Sequence, residues 1–332
     1  MSIFIIAEAG VNHNGSIEQA KKLVDAAVTA GADAVKFQTF KTEALVTESA
    51  QQASYQTDNT GQKESQFMML KRLELSASDH KMLVDYCQEK NIEFMSTPFD
   101  DDSILLLHDL GMKRWKIPSG ELLSVPYLRK IASYNQTTIL STGMGDLDEV
   151  KFSVKTLLNA GLDKRNLTVL HANTAYPTPY QDVNLNVMAT LVKALEVDIG
   201  LSDHSLGIEV PIAAVAMGAT IIEKHFTLDK TLPGPDHRAS LEPEELKVMV
   251  QAIRHIELAM GSDCKKASSS EKQNRAVARK RIVAKKIIEQ GEAFTEQNIT
   301  LKRSDSGLFA KDWDQVLTLT AKIKYQPGES ID

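Results

Sequence analysis

The sequence predicts an α/β chain, a (β/α)8 TIM barrel followed by a small, mostly β C-terminal domain. Three observations predict it. Eight short β-type runs alternate with segments of helical period up to about residue 260, a span typical of such barrels. The runs are apolar almost throughout rather than alternating, as strands of a parallel sheet covered by helices are. No Gly-rich phosphate fingerprint follows the first run, which disfavours a doubly wound open sheet, the other arrangement that repeated βα units allow.

The first strand is expected at 4–7, in an apolar run too short for a secretory leader and without a basic flank. The other seven are expected at 34–38, 93–96, 114–117, 138–140, 168–171, 198–201 and 221–224. The clearest helix starts behind Ser16, whose hydroxyl can cap the first turn with Gln19 three residues on. It buries Ala20, Leu23, Val24 and Ala27 and stops at Gly31. Another opens with Pro243 at its first position and carries Leu246, Met249, Val250 and Ile253. One connection breaks the rhythm: 40–75 is long and polar, with Gln51-Gln52, Asp58-Asn59-Thr60-Gly61 and a short helical candidate at 64–72, the profile of a lid or binding loop.

Near 261–275 the apolar period is lost in Ser268-Ser269-Ser270-Glu271-Lys272. The division is therefore a barrel over 1–261, a linker over 262–275 and a small domain over 276–332. That last piece holds β-like runs at 281–284 and 299–302 and a helical candidate at 311–316. It buries a marginal core alone and is expected to lean on a barrel, its own or a neighbour's.

With 38 Lys+Arg against 44 Asp+Glu, the net charge of −6 offers no basic field to a polyanion, so nucleic acid is not an expected partner. Cys87 and Cys264 make no disulfide framework, which suits a reducing compartment. No apolar stretch reaches membrane-spanning length, and the expected address is the cytoplasm.

Chemistry in a TIM barrel gathers at the C-terminal ends of the strands. Here those positions are polar: Glu8, Lys36 with Gln38, Thr97, Lys116 with Ser119 and Glu121, Thr142, Asn173 with Tyr176, Ser202 with His204, and His225. A structural ion pair such as Lys36 with Glu8 accounts for two or three of them, not for the set. His204 and His225 follow successive strands, and two imidazoles completed by oxygen donors suit a labile Mn²⁺, Mg²⁺ or Co²⁺ better than a structural zinc. Lys36 and Lys116 with the hydroxyls of Thr97, Ser119, Thr142 and Ser202 suit a small phosphorylated, carboxylated molecule. The P-loop pattern is absent, which excludes that nucleotide site. His80, His108 and His255 fall on helices and are expected at the surface.

These residues lie in longer motifs that occur in this order: Ala7-Glu8-Ala9-Gly10-Val11-Asn12-His13-Asn14-Gly15, Val35-Lys36-Phe37-Gln38-Thr39-Phe40, Ser96-Thr97-Pro98-Phe99-Asp100, Trp115-Lys116-Ile117-Pro118-Ser119-Gly120-Glu121, Ser141-Thr142-Gly143-Met144, Tyr176-Pro177-Thr178-Pro179, Leu201-Ser202-Asp203-His204-Ser205, Glu223-Lys224-His225-Phe226-Thr227 and Pro233-Gly234-Pro235-Asp236-His237. Over nearly its whole length the chain resembles the bacterial sialic acid (N-acetylneuraminate) synthase family. The C-terminal piece resembles the antifreeze-like (SAF) domain.

The resemblance implies a homodimer with that domain swapped between subunits. The implied reaction condenses phosphoenolpyruvate with N-acetylmannosamine and water, giving N-acetylneuraminate and phosphate. It implies a divalent metal ion, Mn²⁺ before Mg²⁺ or Co²⁺, held by His204 and His225. Lys36, Thr97, Lys116, Ser119, Ser202 and Thr174 are implied at phosphoenolpyruvate; Glu8, Tyr176, Asp236 and Arg303 at the sugar, with Arg303 from the partner subunit; Glu121 as a catalytic carboxylate. Gln38, Thr142 and Asn173 complete the expected binding set. Ala175 stands where relatives often carry glutamate, and Ser304-Asp305 follows Arg303 where relatives tend to carry Pro-Gly. The related outcomes are a legionaminate or pseudaminate synthase, acting on a 2,4-diacetamido-trideoxyhexose, and a noncatalytic spore-coat-type sugar binder.

Overall fold

The computed structural model describes residues 2–53, 56, 57, 59 and 64–332, in two units that meet between Gly261 and Ser262. Asp58, Thr60 and Gly61 of the expected loop lie outside the described residues.

The first unit is built on strands β1 (Phe4–Gly10), β2 (Ala34–Thr39), β3 (Glu93–Pro98), β4 (Arg114–Ile117), β5 (Thr137–Ser141), β6 (Leu167–Ala172), β7 (Asp198–Asp203) and β8 (Ile221–His225). All pair in parallel, in the order β3-β2-β1-β8-β7-β6-β5-β4. β3 and β4 lie side by side and close the ring, bridged by the Ser96 N–H on Met112 Sδ (3.3 Å) and by Arg114 on Glu93 (3.0 Å). All eight expected strands are present, most of them longer by one to three residues.

The expected caps form. Ser16 Oγ accepts the Gln19 N–H, Gly31 ends Ile17–Ala30 in the left-handed region, and Ala20, Leu23, Val24 and Ala27 are buried beneath that helix. Pro243–Met260 buries Leu246, Met249, Val250 and Ile253 in the same apolar layer between strands and helices.

Inside the ring, Ile6, Ala34, Met95, Ile139, Leu170 and Ile221 form a separate apolar layer. Since side chains on a strand return to the same face every second residue, the next layer up is Glu8, Lys36, Thr97, Ser141, Ala172 and Glu223. One step in register changes the barrel interior from hydrocarbon to charge. Gly10 continues β1 into the layer above with φ +53°, and a Cβ there would sit 3.3 Å from His225 Cε1, so its missing side chain makes room for the imidazole.

The 40–75 connection holds helices Thr42–Leu45 and Gln66–Leu73, the latter capped by Ser65. It packs Phe40, Met69 and Leu73 against Val11, with Leu45, Leu70 and Phe99 around them. Gly15, at φ +75°, lies directly under this segment, and a Cβ there would come within 2.3 Å of the Arg72 carbonyl oxygen. Gly15→Ala is therefore expected to cost about 2 kcal/mol or more and to lift Gln66–Leu73 away from the barrel. A lower unfolding midpoint with faster proteolysis within 40–75 is the expected readout; unchanged values for both would refute the contact.

The second unit pairs β9 (Lys280–Ala284) antiparallel with β10 (Ile299–Arg303) over its own core of Ile282, Ile288, Phe294, Ile299, Val316 and Tyr325. The stretch expected to be a plain linker instead contains helix Ser269–Ala278. Ser268 and Glu271 form a reciprocal capping box at its start, and no residue of the helix is buried, so capping holds a turn that apolar periodicity does not mark. No helix among the described residues is long and apolar enough to cross a membrane.

Candidate active site

The C-terminal ends of the strands open into a cavity of about 700 Å³. Glu8, Lys36, Gln38, Thr97, Lys116, Ser119, Glu121, Thr174, Tyr176, Ser202, His204, His225 and Asp236 all line it. Residues spread over more than two hundred positions of sequence are thus brought to one mouth.

The floor is a four-charge cluster. Lys36 Nζ lies 2.8 Å from Glu8 and 3.7 Å from Glu223, and Lys116 Nζ lies 3.2 Å from Glu223. Lys36 also donates to Thr97 Oγ1 (2.7 Å), and Ser202 Oγ donates to Glu223 Oε1 (2.9 Å). All four charged side chains are buried, so each is held by its partners rather than by water. Burial opposes ionisation of Glu223, but Lys116 and Lys36 outweigh it and hold its carboxyl at about 2. Burial pushes Glu8 up to about 7, against the pull of Lys36. Burial disfavours the Lys36 ammonium, yet Glu223 and Glu8 reverse that and raise it. Lys116 has less compensation and is drawn below the usual lysine range.

Above the floor stand two imidazoles, with ring centres 5.3 Å apart and the Tyr176 ring 4.1 Å from His204 and 5.6 Å from His225. His204 Nδ1 bonds the Asn173 carbonyl oxygen, which leaves Nε2 as the acceptor nitrogen. Burial holds His204 down at about 4 and, with His204 alongside, His225 well below the usual value. Both are neutral at physiological pH, the form that binds metal. His225 Nδ1 is buried without a hydrogen-bond partner. Among the described residues no cluster of three or more His, Cys, Asp or Glu side chains could hold a metal ion. The donor set fits an ion held by two imidazoles with oxygens of water or substrate completing the shell. Asp236 is buried at the rim, and burial raises its carboxyl to about 6. Glu121 sits on the one-turn helix Ser119–Glu121, half-buried and facing the cavity.

Two expected binding residues, Thr142 and Asn173, are placed otherwise. Thr142 lies one residue past β5, off the inward register, and its Oγ1 donates to the Leu170 carbonyl (2.9 Å); Ser141 is the residue that lines the cavity. Asn173 is outside the lining. Its Oδ1 accepts the Ala175 N–H (2.8 Å) and its carbonyl orients His204, so it positions the loop and the imidazole. Arg303, expected to act at a partner subunit's site, is exposed at the end of β10, in the second unit. The Gly143 N–H donates to Ser119 Oγ (2.9 Å). Ala175 is exposed and off the lining. His80, expected at a helix surface, is buried and bonded to Thr39 Oγ1 (2.8 Å).

Glu223, which lines the same cavity, is absent from the set expected at the strand ends. Its signal was parity: it stands two residues before His225 on one strand and therefore shares its face.

Known proteins resemble this chain in sequence and in fold. The NeuB family model matches residues 23–265, and the SAF domain model matches residues 279–332. The chain is similar to the N,N'-diacetyllegionaminic acid synthase of Campylobacter jejuni, at 49% identity over 98% of both chains. It is similar to the protein of the same name from Legionella pneumophila, at 46% identity over 100% of this chain and 94% of that one. Among solved structures it resembles an N-acetylneuraminic acid (sialic acid) synthetase from Leptospira borgpetersenii in complex with citrate. That likeness has a TM-score of 0.72 at 34% identity, covering 82% of this chain and 90% of that one. A family model that covers most of the chain, together with relatives this similar over its full length, shows that the chain belongs to the NeuB family and carries a SAF domain at its C-terminal end.

Proposed function

We propose that the chain is a phosphoenolpyruvate-dependent synthase of the N,N'-diacetyllegionaminic acid type. It would join phosphoenolpyruvate to a 2,4-diacetamido-2,4,6-trideoxymannose, with water, and release phosphate. The site observation that carries the reaction class is the buried Glu8–Lys36–Glu223–Lys116 cluster beneath two neutral imidazoles in one cavity. The choice of sugar rests on the two legionaminic acid synthases at 49% and 46% identity, against 34% for the sialic acid synthetase structure. N-acetylmannosamine, the acceptor expected from the sequence, becomes the runner-up.

The floor receives phosphoenolpyruvate. Its carboxylate and phosphate add negative charge beside Glu8, whose carboxyl already sits near 7. The incoming anion favours the protonated form of Glu8 and frees Lys36 to pair with the substrate, and it supports the Lys116 ammonium against the burial that opposes its charge. Ser119, Ser202 and Thr97 add directed hydroxyl donors. The methylene carbon of phosphoenolpyruvate then attacks the open-chain aldehyde of the sugar. A carbon–carbon bond forms, the aldehyde oxygen becomes an alkoxide that takes up the proton released when water adds, and positive charge develops at C2. Glu121 faces that charge and takes a proton from the water that adds there. The C2 hydroxyl gives its proton to the phosphate as C2=O forms, the carbon–oxygen bond to phosphate breaks, and phosphate leaves toward Lys36 and Lys116. A divalent ion on His204 and His225 would supply Lewis acidity to the aldehyde oxygen. Asp236 and Tyr176 orient the sugar.

The test is phosphate release from phosphoenolpyruvate with a sugar panel. We expect the 2,4-diacetamido-trideoxymannose to exceed N-acetylmannosamine in kcat/KM by tenfold or more, about 1.4 kcal/mol. The opposite ranking would make this a sialic acid synthase, and preference for an altrose-configured sugar would make it a pseudaminate synthase. Release without any sugar, or with none of them, would remove the reading.

Arg303, exposed on the SAF domain, is proposed to complete the site of a partner subunit in a homodimer. Mixing inactive Arg303→Ala with inactive Lys116→Met is expected to regenerate up to about a quarter of wild-type activity, the statistical share of sites that recover both residues. Subunit exchange without recovery would place the arginine in cis.

A further inference from the structure

The polar floor is only part of the cavity. On the β1–β3 side its wall is hydrocarbon. Phe40 and Phe99 stand two residues beyond Gln38 and Thr97, edge to face with ring centres 6.4 Å apart. Leu45, Met69, Leu70 and Leu73 of the 40–75 segment extend the same wall, and all six residues line the cavity. Described residues of the segment are tied in place by hydrogen bonds. Glu74 accepts from the Lys41 ammonium (2.9 Å) and the Thr42 hydroxyl (3.0 Å), and Asn59 Nδ2 donates across the mouth to the Pro235 carbonyl (2.6 Å), next to Asp236. The opposite side, with Tyr176, His204, His225 and Asp236, is polar.

Phosphoenolpyruvate has no use for such a wall, since its only apolar part is the methylene that reacts. The wall must therefore meet the acceptor. The acetamido groups end in methyls but carry beside them an N–H and a C=O that need polar partners, and a C6 hydroxyl against the wall would leave its donor and acceptors unpaired, at a cost that a C6 methyl group escapes. We propose that this wall reads the C6 methyl group of the acceptor sugar, and that Leu45 and Leu70, half-buried at its surface, are specificity-determining residues. The inference rests on the legionaminic-type reading and extends it to one carbon of the substrate.

The experiment compares two sugars that differ by one oxygen, 2,4-diacetamido-2,4,6-trideoxymannose and its 6-hydroxy counterpart, with N-acetylmannosamine as a third arm. For the wild-type protein we expect the 6-deoxy sugar to be preferred over the 6-hydroxy sugar by about 10- to 100-fold in kcat/KM. Leu70→Asn and Leu45→Asn should each reduce that ratio to about threefold or less while leaving the KM for phosphoenolpyruvate within about twofold; Leu70→Met should retain the preference. Equal use of the two diacetamido sugars by the wild-type protein would overturn the inference, as would a ratio that both Asn variants leave unchanged. Better use of N-acetylmannosamine than of either diacetamido sugar would instead bring down the reading beneath it. A variant that does not fold is recognised by its lost phosphoenolpyruvate-dependent protection against unfolding, and the other position then decides.

Discussion

Lys116→Met is expected to lower kcat/KM for phosphoenolpyruvate by about a thousandfold, the scale seen when a preorganised charge partner is removed from an active site. Glu223 transmits the effect. In the intact floor two carboxylates face two ammonium groups, and Glu223 lies between them at 3.7 Å and 3.2 Å. Without Lys116, Glu223 and Glu8 share Lys36 alone, so the floor has an excess of negative charge where a multiply charged anion must bind. Breaking a buried pair also costs about 3–5 kcal/mol of stability, and loss of activity alone would not separate chemistry from unfolding. The double variant Lys116→Met/Glu223→Gln makes that separation. It removes one charge of each sign, and most of the lost stability should return while activity does not. Recovery of turnover along with stability would mean that Lys116 only neutralises Glu223.

The parts of this molecule legible in the sequence are those that repeat. Eight apolar runs gave eight strands because a buried parallel strand has no polar face, and Ser16, Gly31 and Pro243 marked helix ends by local chemistry that needs no tertiary information. The site was legible wherever a polar residue interrupted an apolar strand, as Glu8, Lys36, Lys116 and His225 do. Errors came where one residue of register decides. Thr142 and Ser141 are adjacent and chemically alike, and only the true end of β5 shows which of them faces inward. Lys224, beside Glu223 and His225, is buried on the outer face against Asp203, so charge alone did not separate outward from inward positions. His80 lies on the helix where it was expected but on its buried side. The apolar wall was hidden for a different reason. Leu45, Met69, Leu70 and Leu73 are scattered through a polar segment and converge only because two short helices fold back over the mouth.

Removal of divalent metal is expected to abolish turnover, and Mn²⁺, Mg²⁺ or Co²⁺ should restore it. The residues that make this expectation specific are His204 and His225. Histidine sites ordinarily lose metal as pH falls through about 6.5, because protons compete for the imidazole lone pair. Here burial has already driven that competition down, with His204 at about 4 and His225 well below the usual value. In this pair the neutral, ligating form persists to lower pH than in an exposed site. Metal affinity measured by calorimetry on the stripped protein should therefore be nearly flat from pH 8 to about 5 and fall only as pH approaches 4. Asp236, raised to about 6 by burial, loses its charge within that flat range. Sugar binding and kcat/KM should consequently decline below about pH 6 while metal remains bound. Asn173 contributes through its carbonyl, which holds the His204 ring. His225→Ala should reduce metal affinity by at least about a hundredfold and turnover with it. A stripped protein that turns over at full rate, or metal affinity that falls tenfold per pH unit starting at 6.5, would remove these two imidazoles from the metal site.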